Sequence, residues 1–388
     1  MTARGAADWR SRARRLALLL SERGDVTDDA WRSAVGAVPR HRLVPEAYRQ
    51  EAGTGAWQRI DTASDGGLDL VYSPTTLVTA LDDSSGHLLA SSSSTKPDLM
   101  LRMLHVLDVH EGHRVLEIGT GTGYNAALLA HRLGDDAVYS VDVDGELVDV
   151  ARHRLSEIGF EPTLVAADGV EGLPEHAPFD RIISTCSVPS VPWSWAEQLT
   201  SDGKMLLDLK VGNAGGNLVA LDRRPDRVEG RFTARWATFM TMWHGRDAPV
   251  PRAPRATCST ERSTTAPPRP WESHRVVWFL ARFALPRHVG IGLRLDPDTL
   301  RPVAATLDSP DGSWVSVDLD GAGGIRRVVE AGPIRLWASV EDAHDRWVGF
   351  GEPDWPRFGV TAQPDRQWVW LDVPAGPNTW PLPPPSDL

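Results

Sequence analysis

The stretch of chain with the clearest chemistry is Val115-Leu116-Glu117-Ile118-Gly119-Thr120-Gly121-Thr122-Gly123-Tyr124. An apolar strand ends on an acidic residue, and a glycine-rich turn then opens a helix. Glycine tolerates positive φ and lets a ligand approach the backbone closely. Such a turn at a helix N-terminus suits a nucleotide-like ligand. The spacing separates two classes of cofactor. A dinucleotide turn of the form G-x-G-x-x-G would put its third glycine at position 124. That residue is Tyr124, and the third glycine comes one place earlier, at Gly123.

Two carboxylates stand where such a ligand needs them. Asp142, followed by Val143, closes the run Tyr139-Ser140-Val141-Asp142. It lies about twenty residues past the turn, where an acid can accept from both ribose hydroxyls. Asp168-Gly169 closes a third apolar run, where a carboxylate and a backbone amide could hold an adenine. Either aspartate alone reads equally well as a solvated strand end or a helix cap. With the turn, the two favour cofactor binding by Glu117, Gly119, Thr120, Gly121, Gly123, Asp142, Val143, Asp168 and Gly169. The pattern E-x-G-x-G-x-G resembles the first motif of class I methyltransferases, which use S-adenosylmethionine.

The elements needed to position these residues follow from periodicity. Val115–Ile118, Ala137–Val141, Thr163–Ala166, Arg181–Ser184 and Lys204–Leu209 read as strands. They alternate with helices over Tyr124–Leu133, Leu147–Ile158 and 193–199. Alternation at this spacing implies parallel strands joined by right-handed crossovers, a doubly wound α/β fold of Rossmann type. Upstream, residues 8–23, 28–50 (broken at Pro39 and Pro45) and Leu99–Leu107 read as helical. The Gly/Asp/Ser-rich stretches at 61–67 and 82–86 suggest loops and short strands. Leu218–Leu221 and Ala237–Trp243 are candidate edge strands. The aperiodic Pro/Arg/Ser/Thr-rich stretch 246–273 reads as a linker. Beyond it, Trp314–Leu319 and Trp368–Val373 with turns at Asp311-Gly312 and Asp320-Gly321 suggest a smaller β-rich unit. The expected organisation is thus an N-terminal helical and loop segment (1–90), a cofactor-binding core (91–245), the linker (246–273) and an accessory unit (274–388).

Several ordered segments resemble one family. Ala37-Val38-Pro39-Arg40-His41-Arg42-Leu43-Val44-Pro45 is similar to the V-P-R-x-x-F-V-P segment of protein-L-isoaspartate O-methyltransferases. The glycine-rich motif, Ala167-Asp168-Gly169 and Ala177-Pro178-Phe179-Asp180-Arg181-Ile182 match that family's further motifs in order. The resemblance spans about 28–243. The family carries T-I-S-x-P before its first core strand, and an ungapped count back from Arg114 sets Pro97 on its proline. Ser93, Ser94 and Thr95 then fall on T-I-S. The resemblance implies that hydroxyls here orient the methyl-accepting carboxylate. The competing reading is a flexible serine loop, since Ser91 to Ser94 are consecutive.

A carboxylate is ionised at neutral pH and attacks a sulfonium methyl without a general base. The family's repair members are expected to be about half this length and to end near the last core strand. The Ser-Ser-Ser-Thr-x-Pro run and the C-terminal extension resemble the longer homologues of ribosomal peptide biosynthesis, found with lanthipeptides, lasso peptides and graspetides. This implies methylation of an aspartate in a modified precursor peptide, leading to a succinimide (aspartimide) and, on hydrolysis, isoaspartate. The alternatives are repair of isoaspartyl residues in damaged proteins, methylation of a small natural product in a tryptophan-lined pocket, and a non-catalytic scaffold. Intact glycines and acids argue against the scaffold, and buried tryptophan is more often core.

Bulk properties narrow the partners. The formal net charge of −11 disfavours a nucleic-acid substrate. Leu16–Leu20 is too short to cross a membrane, and no targeting signal is visible, so a cytoplasmic protein with no membrane partner is expected. Cys186 and Cys258 are too few for a zinc cage or disulfide framework, and the histidines, His87 and His105 among them, show no metal spacing. Cys186 near the site is not expected to act as a nucleophile, because direct transfer needs no covalent intermediate. The sequence carries no sign of oligomeric state.

Overall fold

The computed structural model describes residues 3–51, 55–83, 88–242 and 250–384. The chain falls into two compact units, Met1–Cys186 with Pro192–Leu207 and Ala220–Pro225, and Ser187–Val191 with Asp208–Val219 and Asp226–Leu388.

In the first unit, strand Val115–Ile118 is flanked by Val138–Asp142 on one side and Phe179–Val188 on the other, both parallel to it. Thr163–Ala166 runs parallel beyond Val138–Asp142. Successive strands therefore depart from Val115–Ile118 in opposite directions, which makes its carboxyl end a topological switch point. All four residues of that strand are buried, as expected for a central parallel strand covered on both faces. Helices Tyr124–Leu133 and Gly145–Ser156 are the crossovers, the latter capped by Asp144 accepting from Glu146 and Leu147 amides. This is the doubly wound core expected from the alternation.

The segment before the core is more ordered than its composition suggests. The helical pattern over 28–50 resolves into Asp29–Ala37, Arg40–Leu43 and then a strand, Glu46–Gln50. The two prolines end the helices, and the alternating tail pairs with Trp57–Asp61. Strands Trp57–Asp61, Glu46–Gln50, Leu77–Asp82 and Leu89–Ser94 form, in that order, a four-stranded sheet. A helix over Asp65–Val71, capped by Ser64, interrupts what composition marks as loop. His87 and residues 84–86 lie outside the described residues.

In the second unit, strands Ser259–Thr264, Arg326–Ala331, Trp314–Asp318, Pro302–Asp308 and Gly290–Leu295 form an antiparallel sheet in that order. The turn at Asp311-Gly312 connects two of them, as expected. A second antiparallel set joins Val228–Phe232, Phe358–Ala362, Gln367–Leu371 and Thr379–Pro381. Helices Arg275–Arg282 and Leu336–Gly349 contribute the core residues Trp278 and Trp337, both fully buried. Trp355 and Trp370 are buried as well, so these rings are packing residues.

The linker expected over 246–273 is corrected from residue 259 on, where strand Ser259–Thr264 and the turn of helix Pro270–Ser273 are regular structure. Residues 246–249 lie outside the described residues. Ala237–Met242 forms no strand, only a parallel bridge between Ser187 and Thr241, and Trp243 is not among the described residues. Val228–Phe232 is one of several strands that sequence reading did not name, with Gly290–Leu295, Pro302–Asp308, Arg326–Ala331 and Phe358–Ala362 among the others.

Candidate active site

The glycine turn sits at the switch point. Gly119 has φ +97°, and a Cβ there would stand 2.5 Å from Thr185 Oγ1 and 2.9 Å from Cys186 Sγ. Thr185 Oγ1 donates to the carbonyl oxygens of Ile118 (3.1 Å) and Gly119 (2.9 Å), tying the turn to the end of the neighbouring strand. Gly121 has φ +50°, and among the described residues beyond its two chain neighbours the sole heavy atom within 4 Å of its would-be Cβ is Ser93 O, at 3.8 Å. Backbone is therefore bare at Gly121, with open space beside it, while Gly119 and Gly123 are packed against Thr185 and Leu155. Gly123 caps the helix that begins at Tyr124.

The acidic residues divide into two kinds. Asp142 is half-buried at its strand end, with Oδ2 accepting from Gly121 N (3.0 Å) and Oδ1 from Asp144 N (3.2 Å). Its carboxylate thus stands at the open side of the turn, and each oxygen keeps a lone pair for a further donor. Asp168 is exposed and accepts from Val170 N at 3.0 Å. Gly169 is buried, its carbonyl taken by Trp195 Nε1 at 2.8 Å. Ala167 N donates to Asp142 O at 3.0 Å, so the two strand ends that carry these aspartates adjoin. Val143 is 37% exposed beside them.

Glu117 differs. It is 1% exposed, with Oε1 accepting from Asn125 Nδ2 (2.8 Å) and Oε2 from Ser140 Oγ (2.7 Å). The Thr120 and Ser140 hydroxyls are 2.7 Å apart. Burial pushes the Glu117 carboxyl up to about 7 against the lowering effect of its two hydrogen bonds, and the Asp142 charge adds to the rise. Glu117 and Thr120 thus brace the turn from beneath, while Asp142 faces the space beside it.

The serine segment lies on strand Leu89–Ser94, which pairs with Leu77–Asp82 through Ser93↔Val78 and Ser94↔Leu77. It is therefore built into a strand and not a free loop. Ser93 and Thr95 are half-buried, and Ser94 is buried. The contact of Ser93 O with the Gly121 position brings this segment and the turn together. Arg40 of the Val38-Pro39-Arg40 segment donates to Ser94 and Thr95, a contact that sequence reasoning did not anticipate.

This site suits S-adenosylmethionine: bare turn backbone with open space at Gly121, a carboxylate at the second strand end for a diol, and an acid–glycine pair at the third. Cys186 is in no disulfide among the described residues and is half-buried against Gly119. Among the described residues no helix is long and apolar enough to cross a membrane.

Residues 11–235 match the family model described as protein-L-isoaspartate(D-aspartate) O-methyltransferase. The protein-L-isoaspartate O-methyltransferase of Methanococcoides burtonii is 36% identical over 183 residues, 47% of this chain and 76% of its own. Protein-L-isoaspartate O-methyltransferase 1 of Archaeoglobus fulgidus is 35% identical over 204 residues, 52% of this chain and 81% of its own. A solved structure of a protein-L-isoaspartate O-methyltransferase superposes with a TM-score of 0.52 at 20% identity, covering 92% of this chain and 99% of its own. That chain is therefore of comparable length. The relatives of Methanococcoides burtonii and Archaeoglobus fulgidus, 76% and 81% of whose lengths are matched by 183 and 204 residues, are by contrast much shorter than this chain, in line with the expectation.

Proposed function

The chain belongs to the protein-L-isoaspartate O-methyltransferase family, and on that premise we propose that it methylates an aspartate side chain of a modified ribosomal precursor peptide. Membership makes it an S-adenosylmethionine-dependent carboxyl O-methyltransferase. When bound, S-adenosylmethionine supplies an electrophilic methyl group on a sulfonium. Asp142 would hold the ribose hydroxyls, Asp168 and Gly169 the adenine, and the backbone of Gly119, Gly121 and Gly123 the methionine-bearing part, with Val143 beside the base.

On the acceptor side, the Ser93 and Thr95 hydroxyls would donate to one oxygen of the substrate carboxylate. A lone pair of the other oxygen would be left free to take the methyl group, displacing the neutral thioether, and no residue would need to move a proton. Alignment and exclusion of water are the whole contribution, worth several kcal/mol of barrier. The observation that supports this reading is that the Ser93 backbone carbonyl lies 3.8 Å from where a Cβ of Gly121 would stand, so the serine segment borders the turn. Once the ester forms, the nitrogen of the following residue attacks its carbonyl, loses its proton and expels methanol, giving the succinimide. The serine-rich run Ser91–Ser94 and the second unit support the choice of peptide substrate. We assign that unit, Asp226–Leu388 in its main part, to peptide recognition.

Repair of isoaspartyl residues is the second reading. It is favoured by the near full-length superposition on a structure bearing that name. Mass spectrometry of a generic isoaspartyl peptide and of the modified product of any precursor encoded beside the gene, each incubated with S-adenosylmethionine, separates the two. A gain of one methyl on the precursor followed by loss of methanol is the expected result. Turnover of the isoaspartyl peptide alone would assign the chain to repair.

A further inference from the structure

Arg40 is fully buried, an unusual place for a guanidinium without a carboxylate on it. Among the described residues its acceptors are four backbone carbonyls and one hydroxyl. Nη1 donates to Val71 O at 3.0 Å. Nη2 is shared among Thr75 O (3.4 Å), Ser94 O (3.2 Å), Ser94 Oγ (3.2 Å) and Thr95 O (3.0 Å). Its Cζ stands 5.1 Å from the ring centroid of Tyr124, the first residue of the helix that the glycine turn opens. The nearby carboxylate of Asp98 is 4% exposed and is engaged by Lys96 at 3.1 Å.

We infer that Arg40 is the positioning residue that fixes the Ser93–Thr95 segment beside the glycine turn. Burying a charge costs several kcal/mol unless polar partners surround it, and here the partners are the carbonyls of two separate segments, 71–75 and 94–95. A planar fork with several donors joins them at one point, whereas lysine offers a single ammonium that cannot span the same set. The ring of Tyr124 closes the other face. One side chain thereby joins the acceptor segment to the helix at the cofactor turn, touching neither substrate nor cofactor.

The inference rests on the methyl-transfer reading for its kinetic consequence and on geometry alone for its first test. In Arg40→Lys, hydrogen exchange should speed up over 71–77 and 89–96 while strands 115–118 and 138–142 keep wild-type protection. With either peptide that the wild type turns over, kcat should fall about 100-fold, the loss expected from a displacement near 1 Å. S-adenosylmethionine affinity and peptide KM should stay unchanged. Uniformly faster exchange with loss of cofactor binding would make Arg40 a general stabilising residue and overturn the inference. So would wild-type exchange with wild-type kcat. If the wild type methylates neither peptide, the function proposed above fails, and the exchange pattern still decides the role of Arg40. Should Arg40→Lys not fold, Ser94→Ala, which removes one acceptor and keeps the carbonyls, should produce the same local exchange pattern with a smaller loss of kcat. No local change in that variant would also overturn the inference.

Discussion

Gly119 and Thr185 interlock at the switch point of the sheet: Thr185 Oγ1 donates to the Gly119 carbonyl at 2.9 Å and lies 2.5 Å from where a Cβ of residue 119 would be. Gly119→Ala therefore meets two penalties, a φ of +97° that side chains avoid and a collision that displaces Thr185. Left-handed strain alone costs roughly 1–3 kcal/mol. The variant should bind S-adenosylmethionine at least about tenfold more weakly, since a factor of ten corresponds to about 1.4 kcal/mol. Calorimetry measures this, and unchanged affinity would show that the turn is not the cofactor seat.

Asp142 is proposed to serve the same seat from the next strand. Asp142→Ala removes a carboxylate that also holds Gly121 N, so cofactor affinity should drop about 100-fold, the loss of one or two charged hydrogen bonds. Asp142→Asn keeps one acceptor oxygen and should lose less. Equal losses in both variants would point to the charge and not to hydrogen-bond acceptance.

What the sequence made legible follows from where the signals are local. Val115–Ile118 and Tyr124–Leu133 coincide with their expected bounds, because an apolar run and a glycine turn punctuate the chain at those points. Asp65–Val71 was disguised by Gly66-Gly67, and its start is set by the Ser64 cap. Ser259–Thr264 lacks apolar alternation because it is an edge strand, held by Arg262 to Glu330 (2.7 Å) and to Glu341 (2.7 Å). In the site, motif spacing singled out Asp142 and the glycines, which the fold brings together through the bond from Gly121 N to Asp142. It could not separate Glu117, which turned inward to Asn125 and Ser140, from the residues that face open space. Nor could it show that Arg40 reaches Ser94 and Thr95, since nothing local in a chain encodes a bond across more than fifty positions.

Glu117 sets a pH dependence whose sign follows from its raised carboxyl. With an ordinary value of 4.5 in the unfolded chain and about 7 in the folded one, the folded state holds the proton more tightly. The Glu117 contribution to stability is greatest below pH 4.5 and is lost as pH rises through about 7. Glu117→Gln removes the titration, so its advantage over wild type should grow by about 2 kcal/mol between pH 5 and pH 8. Paired denaturant titrations at the two pH values read this directly. A constant difference would mean that Glu117 is ionised throughout.

In the second unit, Gln367 grips one residue from both sides. Its Oε1 accepts from Val191 N at 2.8 Å, and its Nε2 donates to Val191 O at 2.7 Å, with the side chain 3% exposed. Gln367→Met keeps the volume and strands both backbone groups. Each orphaned group costs about 1–3 kcal/mol, so the melting temperature should fall by several degrees. Full stability in the variant would require other partners for Val191.

The hydroxyls of Ser93 and Thr95 carry the last expectation. Both are half-buried, one on and one just past a strand whose pairing fixes the backbone at Ser93 and Ser94. Thr95→Ala and Ser93→Ala should therefore leave the fold and the cofactor seat intact. Each removes a donor to a charged acceptor, worth about 1.5–3 kcal/mol, so kcat should fall about 10- to 100-fold with S-adenosylmethionine affinity unchanged. Thr95→Ser restores the hydroxyl without the methyl and should recover most of the rate. If Thr95→Ala loses activity and Thr95→Ser does not regain it, the methyl group and not the donor is what matters, and the segment shapes the pocket without orienting the carboxylate.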